Sequence, residues 1–326
     1  MSVLEGIAKN RFVIVGRVGM DLFPAPGEAV EDAAQFTADM GGSSANIAAG
    51  IVKLGGVASL VTSVSDDAVG RFCLNKLHHY GVETTYVTPK GGEARNSLAL
   101  YESRVLGHQS VIYRNGAADF QMTNAEVEAV DYSRFGALVT AGTVFAAEPS
   151  RSAAFRAFEL ARAAGLPIIF DVDYRPYSWP SAEVAADVLS RAGALSDVIV
   201  GNDDEFGFMA GGKEKGLAKA RDLAASSAAI VVYKMGEGGA ITLAEGQEMR
   251  TGIFPVTALK PTGAGDSFMA GMLCSLADGH DLKTAVLRGS ACAAIVVARP
   301  GCAPAMPTPP ELTAFLADHP GPTQPQ

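Results

Sequence analysis

Basic residues are in the minority in this chain, with 26 Lys and Arg against 35 Asp and Glu and a formal net charge of −9. That balance argues against a nucleic-acid surface, and an anionic substrate then needs local basic residues to offset the overall field. No apolar run approaches the ~18 residues that suggest a membrane span. The first ten residues hold no apolar signal core, so a cytoplasmic protein is expected. Cysteine is scarce, at positions 73, 274, 292 and 302, without a CxxC pair, and buried reduced thiols are expected. The five histidines do not cluster at metal-ligand spacing, and no internal repeat is evident. What remains is a chain of 326 residues, 48% hydrophobic and 19% charged, which supports a sizeable core rather than disorder.

Short apolar, β-branched runs alternate with helical patterns from end to end. Strands are expected at Phe12–Val15, Ala58–Val64, Ala137–Ala141, Pro167–Val172, Asp197–Val200, Ala229–Tyr233 and Ile241–Leu243. Helices are expected between them, among them Ser43–Leu54, Gly265–Leu276 and Leu282–Ala298. The alternation implies an α/β fold, a doubly wound, mostly parallel sheet with helices on both faces, in a single domain over 1–326. Ligands in such sheets bind beyond the carboxyl ends of the strands. Residues 17–40 and 94–116 break the pattern, reading as strands without helices, and are expected to form a small β lid over the site. A short helix near Pro310–Ala317 and a disordered tail at 319–326 complete the expectation.

The most informative segment is Lys260-Pro261-Thr262-Gly263-Ala264-Gly265-Asp266-Ser267. Small residues deliver the chain into an apolar helix whose first turn carries an acid. A helix N-terminus offers unpaired N–H groups and partial positive charge to an anion, and small residues let a phosphate approach the backbone. A carboxylate beside that cradle can take the proton of an attacking hydroxyl, as phosphoryl transfer requires. A second signal is Gly41-Gly42-Ser43-Ser44-Ala45-Asn46. Taken alone it also reads as a flexible hinge with Ser43 as helix cap.

Together, in this order and at this separation, the two motifs resemble both signatures of the ribokinase-like (PfkB) carbohydrate kinases, over about Phe12 to Pro307. The resemblance implies ATP-dependent phosphorylation of a sugar hydroxyl under a β lid. It makes Asp266 the general base, and the amides of Gly263, Ala264 and Gly265 the anion hole. Asp21, Gly42 and Asn46 would bind sugar hydroxyls, although Asp21 also reads as a solvated loop acid. Asn202 and Glu205 match the family's N-x-x-E motif and would order Mg²⁺ and its waters; the same pair reads equally as a helix cap. Lys234, Gly236 and Gly239, in the loop after an apolar strand, would line the ATP site. Cys292 stands where the family often has an Asn beside the adenine, which puts that contact in doubt.

Many members also carry an acid six residues before the base, where it helps to bind a monovalent cation. Here that position is Lys260. Its ammonium can take the cation's electrostatic place, which implies no K⁺ requirement; a solvated surface lysine is the plainer alternative.

Arg114 and Arg175 each follow a strand that points at the ligand side, and arginine suits a carboxylate or phosphate. A sugar-acid substrate follows, with one of the two on its carboxylate; a lid salt bridge for Arg114 and an ATP contact for Arg175 are the alternatives. These segments, with Gly16–Leu22, Asp171–Trp179 and Gly201–Glu205, resemble the branch of the family that acts on keto-deoxy sugar acids. That implies transfer to the C6 hydroxyl of 5-dehydro-2-deoxy-D-gluconate in myo-inositol catabolism, with 2-dehydro-3-deoxygluconate and fructose as runner-up substrates. A catalytically silent sugar-acid sensor is the rival class, and Asp266 argues against it. A homodimer through the free lid edges is expected.

Overall fold

The computed structural model describes residues 2–104, 107–319 and 321–323. In chain order its strands are β1 (Arg11–Val15), β2 (Gly19–Phe23), β3 (Thr37–Gly41), β4 (Val57–Ser65), β5 (Glu83–Lys90), β6 (Leu98–Tyr101), β7 (Ser110–Tyr113), β8 (Ala137–Ala141), β9 (Ile168–Asp171), β10 (Val198–Asn202), β11 (Ile230–Lys234), β12 (Ala240–Ala244) and β13 (Gln247–Thr251). Nine of them form the main sheet, ordered β13-β12-β11-β10-β9-β8-β1-β4-β5. The sheet is parallel from β5 to β11, and β12 and β13 close it as an antiparallel hairpin.

The strands at the centre are those with continuous apolar runs. β8 is buried along its whole length and β1 nearly so, as parallel strands covered on both faces must be. Separate apolar clusters occupy the two faces of the sheet. The outer strands, β5 and β13, went unread in the sequence because they are polar and half-exposed. Pro89 sits in β5, where an outermost strand can do without one ladder donor.

Strand order reverses at β1, whose neighbours are β4 and β8. Crevices in open α/β sheets form at such a reversal, beyond the carboxyl ends of the strands. Arg17 follows β1, Thr143 follows β8, Asp173 and Arg175 follow β9, and Glu205 follows β10. The helix Ser43–Lys53 packs on Ala264–Ala277 at close range: a methyl at Gly50 would lie 2.7 Å from Ala270 Cβ. That contact fixes the two helix N-termini relative to each other.

The second sheet has the order β3-β2-β6-β7. Its strands come from the two segments that lacked helical patterning, of which residues 105 and 106 lie outside the described set. The helix Pro309–Asp318 matches the short helix expected there. Of the tail read as disordered, 320 and 324–326 lie outside the described residues, while Thr323 is tied to Ile253 through N–H to O at 2.7 Å and Ile253 N–H to Oγ1 at 3.1 Å. Among the described residues no helix is long and apolar enough to cross a membrane. All four cysteines are free and buried.

Candidate active site

A cavity of about 670 Å³ lies over the carboxyl ends of β1 and β8–β11, with Tyr101 and Ser110 reaching it from the second sheet and His108 from the connection between β6 and β7. The first turn of the helix Ala264–Ala277 forms one wall. Gly263 is its cap residue, with φ 84°, a left-handed conformation that suits glycine and turns the chain sharply into the helix. Gly263, Ala264 and Gly265 line the cavity, and Asp266 stands beside them. Asn46, from the first turn of Ser43–Lys53, donates from Nδ2 to Asp266 Oδ2 at 2.9 Å. The two glycine motifs, 220 residues apart, are therefore joined at the carboxylate.

Burial and then the charge of Asp173 push the Asp266 carboxyl up to about 6, against the Asn46 hydrogen bond, Arg175 and Lys234. Asp171, Asp173 and Glu205 line the same cavity. Burial raises Asp171 well above its ordinary value, opposed by Lys234 and reinforced by Glu205. Glu205 is raised for the same first reason. Burial also works against Asp173, but Arg175 and a hydrogen bond from Ser43 outweigh it and hold that group below its ordinary value. Four carboxylates face one space together with Arg17, Arg175 and Lys234, a mixed-charge setting whose chemistry suits a hard cation and a polyanion together.

Asn202 and Glu205 do form the capping box: Glu205 N–H donates to Asn202 Oδ1 at 2.9 Å, and Asn202 N–H donates to Glu205 Oε2 at 2.7 Å. Both also line the cavity, so the cap leaves the second reading of this pair open. No group of three or more His, Cys, Asp or Glu among the described residues could hold a metal ion directly, so any cation here depends on water and phosphate oxygens for most of its shell.

Lys234, at the end of β11, lies closer to the phosphate end than its loop position suggests. A Cβ on Gly265 would lie 3.4 Å from its ammonium nitrogen. Gly236 and Gly239 line the cavity, both with positive φ. Cys292 does not line it: its Sγ faces Gly271 in the core, and Ser290 and Ala293 present to the cavity from that helix instead.

The predicted sugar side is only partly gathered. Gly42, φ 97°, lines the cavity and abuts the Arg17 carbonyl. Asp21 lies outside the lining, 2% exposed, with its carboxyl directly under Gly41. Its Oδ1, like Oδ1 of Asn46, has no hydrogen-bond partner among the described residues. Arg175 lines the cavity and pairs with Asp173 at 2.7 Å. Arg114 does not: it pairs with Asp119 at 2.5 Å, lies over the Phe120 ring at 4.0 Å and faces a separate cavity of about 310 Å³.

Sequence reasoning assigned no role to Arg17, Asp171 or Asp173, all of which line the main cavity. The alternation Asp171-x-Asp173-x-Arg175 just beyond a buried strand was the available signal.

Burial raises Asp21 to about 7 from its ordinary 3.8, with Arg17 opposing and Asp266 adding to the rise. The folded protein therefore keeps a proton that the unfolded chain releases. The associated stability is intact below about 4 and is lost as pH rises through about 7. Asp21→Asn is expected to raise the melting temperature at pH 8 by roughly a few degrees, and to leave it unchanged near pH 4. Thermal melts at the two pH values check this; equal shifts at both would remove the carboxyl's titration as the cause.

Lys260 is fully buried, which rules out the solvated surface lysine. Its ammonium donates to the Thr262 carbonyl at 2.7 Å and the Val296 carbonyl at 3.2 Å. It thereby ties the turn that leads into Gly263 to the end of the neighbouring helix.

The chain belongs to the pfkB family of carbohydrate kinases, whose sequence pattern matches residues 9–309. A curated relative from Photobacterium profundum, named 5-dehydro-2-deoxygluconokinase, is 34% identical over 310 residues, covering 93% of this chain and 94% of its own. One from Geobacillus kaustophilus with the same name is 35% identical, covering 94% of each. Among solved structures, fructokinase from Xylella fastidiosa with bound ATP superposes with a TM-score of 0.84 at 22% identity, covering 95% of this chain and 99% of that one. A fructokinase double mutant from Vibrio cholerae, in a form with fructose, ADP and potassium ion, gives 0.82 at 24% identity, covering 94% and 98%.

Proposed function

We propose that this chain transfers the γ-phosphoryl group of ATP to the C6 hydroxyl of 5-dehydro-2-deoxy-D-gluconate, with Mg²⁺ as the divalent cation, in the cytoplasm. The observation that carries the chemistry is Asp266, held by Asn46 beside a glycine-rich helix N-terminus in the main cavity. The choice of sugar acid rests on the shared name of relatives that match nearly the whole chain, and on arginine at the lid end of the cavity.

Sugar hydroxyls would meet Asn46, which lines the cavity and has an Oδ1 without a partner among the described residues, while Asp21, behind Gly41, would act from beneath. Asp266 takes the proton of the terminal hydroxyl as its oxygen attacks phosphorus, and the bond to the ADP oxygen breaks in line. The amides of Gly263, Ala264 and Gly265 receive the transferring phosphoryl oxygens, with the Lys234 ammonium close by. Asn202 and Glu205 would hold the cation through water, and when bound it neutralises charge on the phosphate oxygens. The second sheet acts as the lid that keeps water from the phosphoryl group. Its outer strand β7 exposes Val111 and Tyr113, which suit pairing with a second copy of the chain. Lys260 stands in for a monovalent cation under the anion hole.

An ADP-release assay over 5-dehydro-2-deoxygluconate, 2-dehydro-3-deoxygluconate, fructose and ribose is expected to give the highest kcat/KM with the first. Binding without ADP release would make the chain a sensor and end the kinase reading.

Glu205→Gln separates the cap from the metal role, because glutamine also serves in a capping box. It is expected to raise the Mg²⁺ concentration for half-maximal rate by roughly tenfold, with KM for the sugar unchanged. An unaltered Mg²⁺ titration would leave Glu205 as a cap alone.

A further inference from the structure

We propose that Arg17 is the residue that receives the substrate carboxylate, and so sets the preference for a sugar acid; this rests on the functional reading above. Three arginines stand at the lid end of the fold, and two are each paired with an acid. Arg114 is paired with Asp119 through Nε at 3.2 Å and Nη2 at 2.5 Å, and opens on the other cavity. Arg175 is paired with Asp173 at 2.7 Å. Arg17 makes no ion pair within 4.0 Å among the described residues. Its side-chain hydrogen bond goes from Nη1 to Ser97 Oγ at 2.6 Å, a neutral partner.

Arg17 is 5% exposed, yet it lines the main cavity. None of its nitrogens is a buried donor without a partner, so the N–H groups not used on Ser97 face the cavity. A buried guanidinium with free donors and no contacting anion is costly unless a ligand completes it. A carboxylate accepting two parallel N–H bonds does so with fixed geometry.

Place and charge agree with this. A Cβ on Gly42 would lie 2.7 Å from the Arg17 carbonyl, and Gly42 opens the helix that carries Asn46, the partner of Asp266. Arg17 thus belongs to the sugar half, whereas Lys234 belongs to the phosphate half. Nearby Asp119 and Asp173 offset two of the three arginines, and Asp21, raised by burial to about 7, is only about half ionised near neutrality. Arg17 is thus the guanidinium of the three that has no acid in contact to neutralise it among the described residues. Anchoring C1 there orients the far end of the six-carbon chain toward Asp266.

The test compares kcat and KM for 5-dehydro-2-deoxygluconate and its uncharged C1 methyl ester in the wild type, Arg17→Gln, Arg17→Lys and Ser97→Ala. Arg17→Gln is expected to raise KM for the acid by roughly 10–100-fold, as loss of a charge-assisted hydrogen bond implies. KM for ATP should stay unchanged, and the preference for acid over ester should vanish. Arg17→Lys should keep part of that preference, and Ser97→Ala nearly all of it. An acid KM within about twofold of wild type in Arg17→Gln, or equal losses for acid and ester, overturns the proposal. Should Arg17→Gln fail to fold by thermal melting, Arg17→Lys decides: an unchanged acid KM and preference rejects the bidentate contact. Calorimetric binding of the acid, without ATP, separates this inference from the functional one. A wild type that binds the acid but never phosphorylates it ends the functional reading, while loss of that binding in Arg17→Gln still upholds the role of Arg17.

Discussion

Asp266→Asn is expected to lower kcat by roughly 10²–10⁴-fold, the range for removal of a positioned general base, with little change in either KM. Asparagine has nearly the same shape, and its amide oxygen can still accept from Asn46 Nδ2, which reaches the carboxylate at 2.9 Å in the native protein. The fold and both binding sites are therefore retained, and only the proton acceptor is lost. The pH profile carries the same assignment. The carboxyl is pushed up to about 6, chiefly by burial, so it is protonated and inactive below that value and available above it. Wild-type kcat/KM should fall about tenfold per pH unit on the acid side of about 6, and that of the variant should lack the limb. Steady-state kinetics between pH 5 and 8 reads both. A variant with near-native turnover would exclude Asp266 from proton transfer and leave it a structural partner of Asn46.

How much of this was legible in the sequence follows the physics of each part. The central strands could be read because burial on both faces demands unbroken apolar runs, as in β1 and β8. The outer strands could not, because water on one side permits the polar composition of Gln247–Thr251 and the proline at 89. Asp266 and the residues before it were legible because a phosphate cradle is local: adjacent residues in one turn make it. The sugar end is not local. Arg17, Asp173 and Arg175 come from the ends of two different strands, and their roles depend on which acids stand beside them. The sequence points to Arg114 and Arg175 and passes over Arg17, and only the fold reveals that Asp119 occupies Arg114 while nothing charged among the described residues touches Arg17. The capping box at Asn202 and Glu205 is the converse case, a local motif that the sequence shows in full and the structure contains.

The second large effect is expected at Lys260. Lys260→Met should lower the melting temperature by roughly 5 °C or more and reduce kcat by about 10–100-fold. The ammonium is the donor to two carbonyls, Thr262 O at 2.7 Å and Val296 O at 3.2 Å. Methionine fills the space but leaves both acceptors unpaired in a dry site, at about 1–3 kcal/mol each. In a chain of this size each kcal/mol corresponds to roughly 2–4 °C of melting temperature. The rate falls because Thr262 directly precedes the Gly263 turn: a relaxed turn misplaces the amides that meet the phosphoryl group, and about 1.4 kcal/mol of lost stabilisation is a factor of ten. On the proposed reading the wild-type enzyme is expected to be indifferent to alkali cations, because the ammonium already sits on the Thr262 and Val296 carbonyls. Turnover should be the same in potassium, sodium or choline chloride at constant ionic strength. Lys260→Ala, which opens a carbonyl-lined space instead of filling it, should regain part of its rate in potassium but not in choline. A steep potassium dependence of the wild type would contradict the assignment outright. A rate in Lys260→Ala that ignores potassium, in a protein that melts as expected, would reduce the lysine to a structural tie.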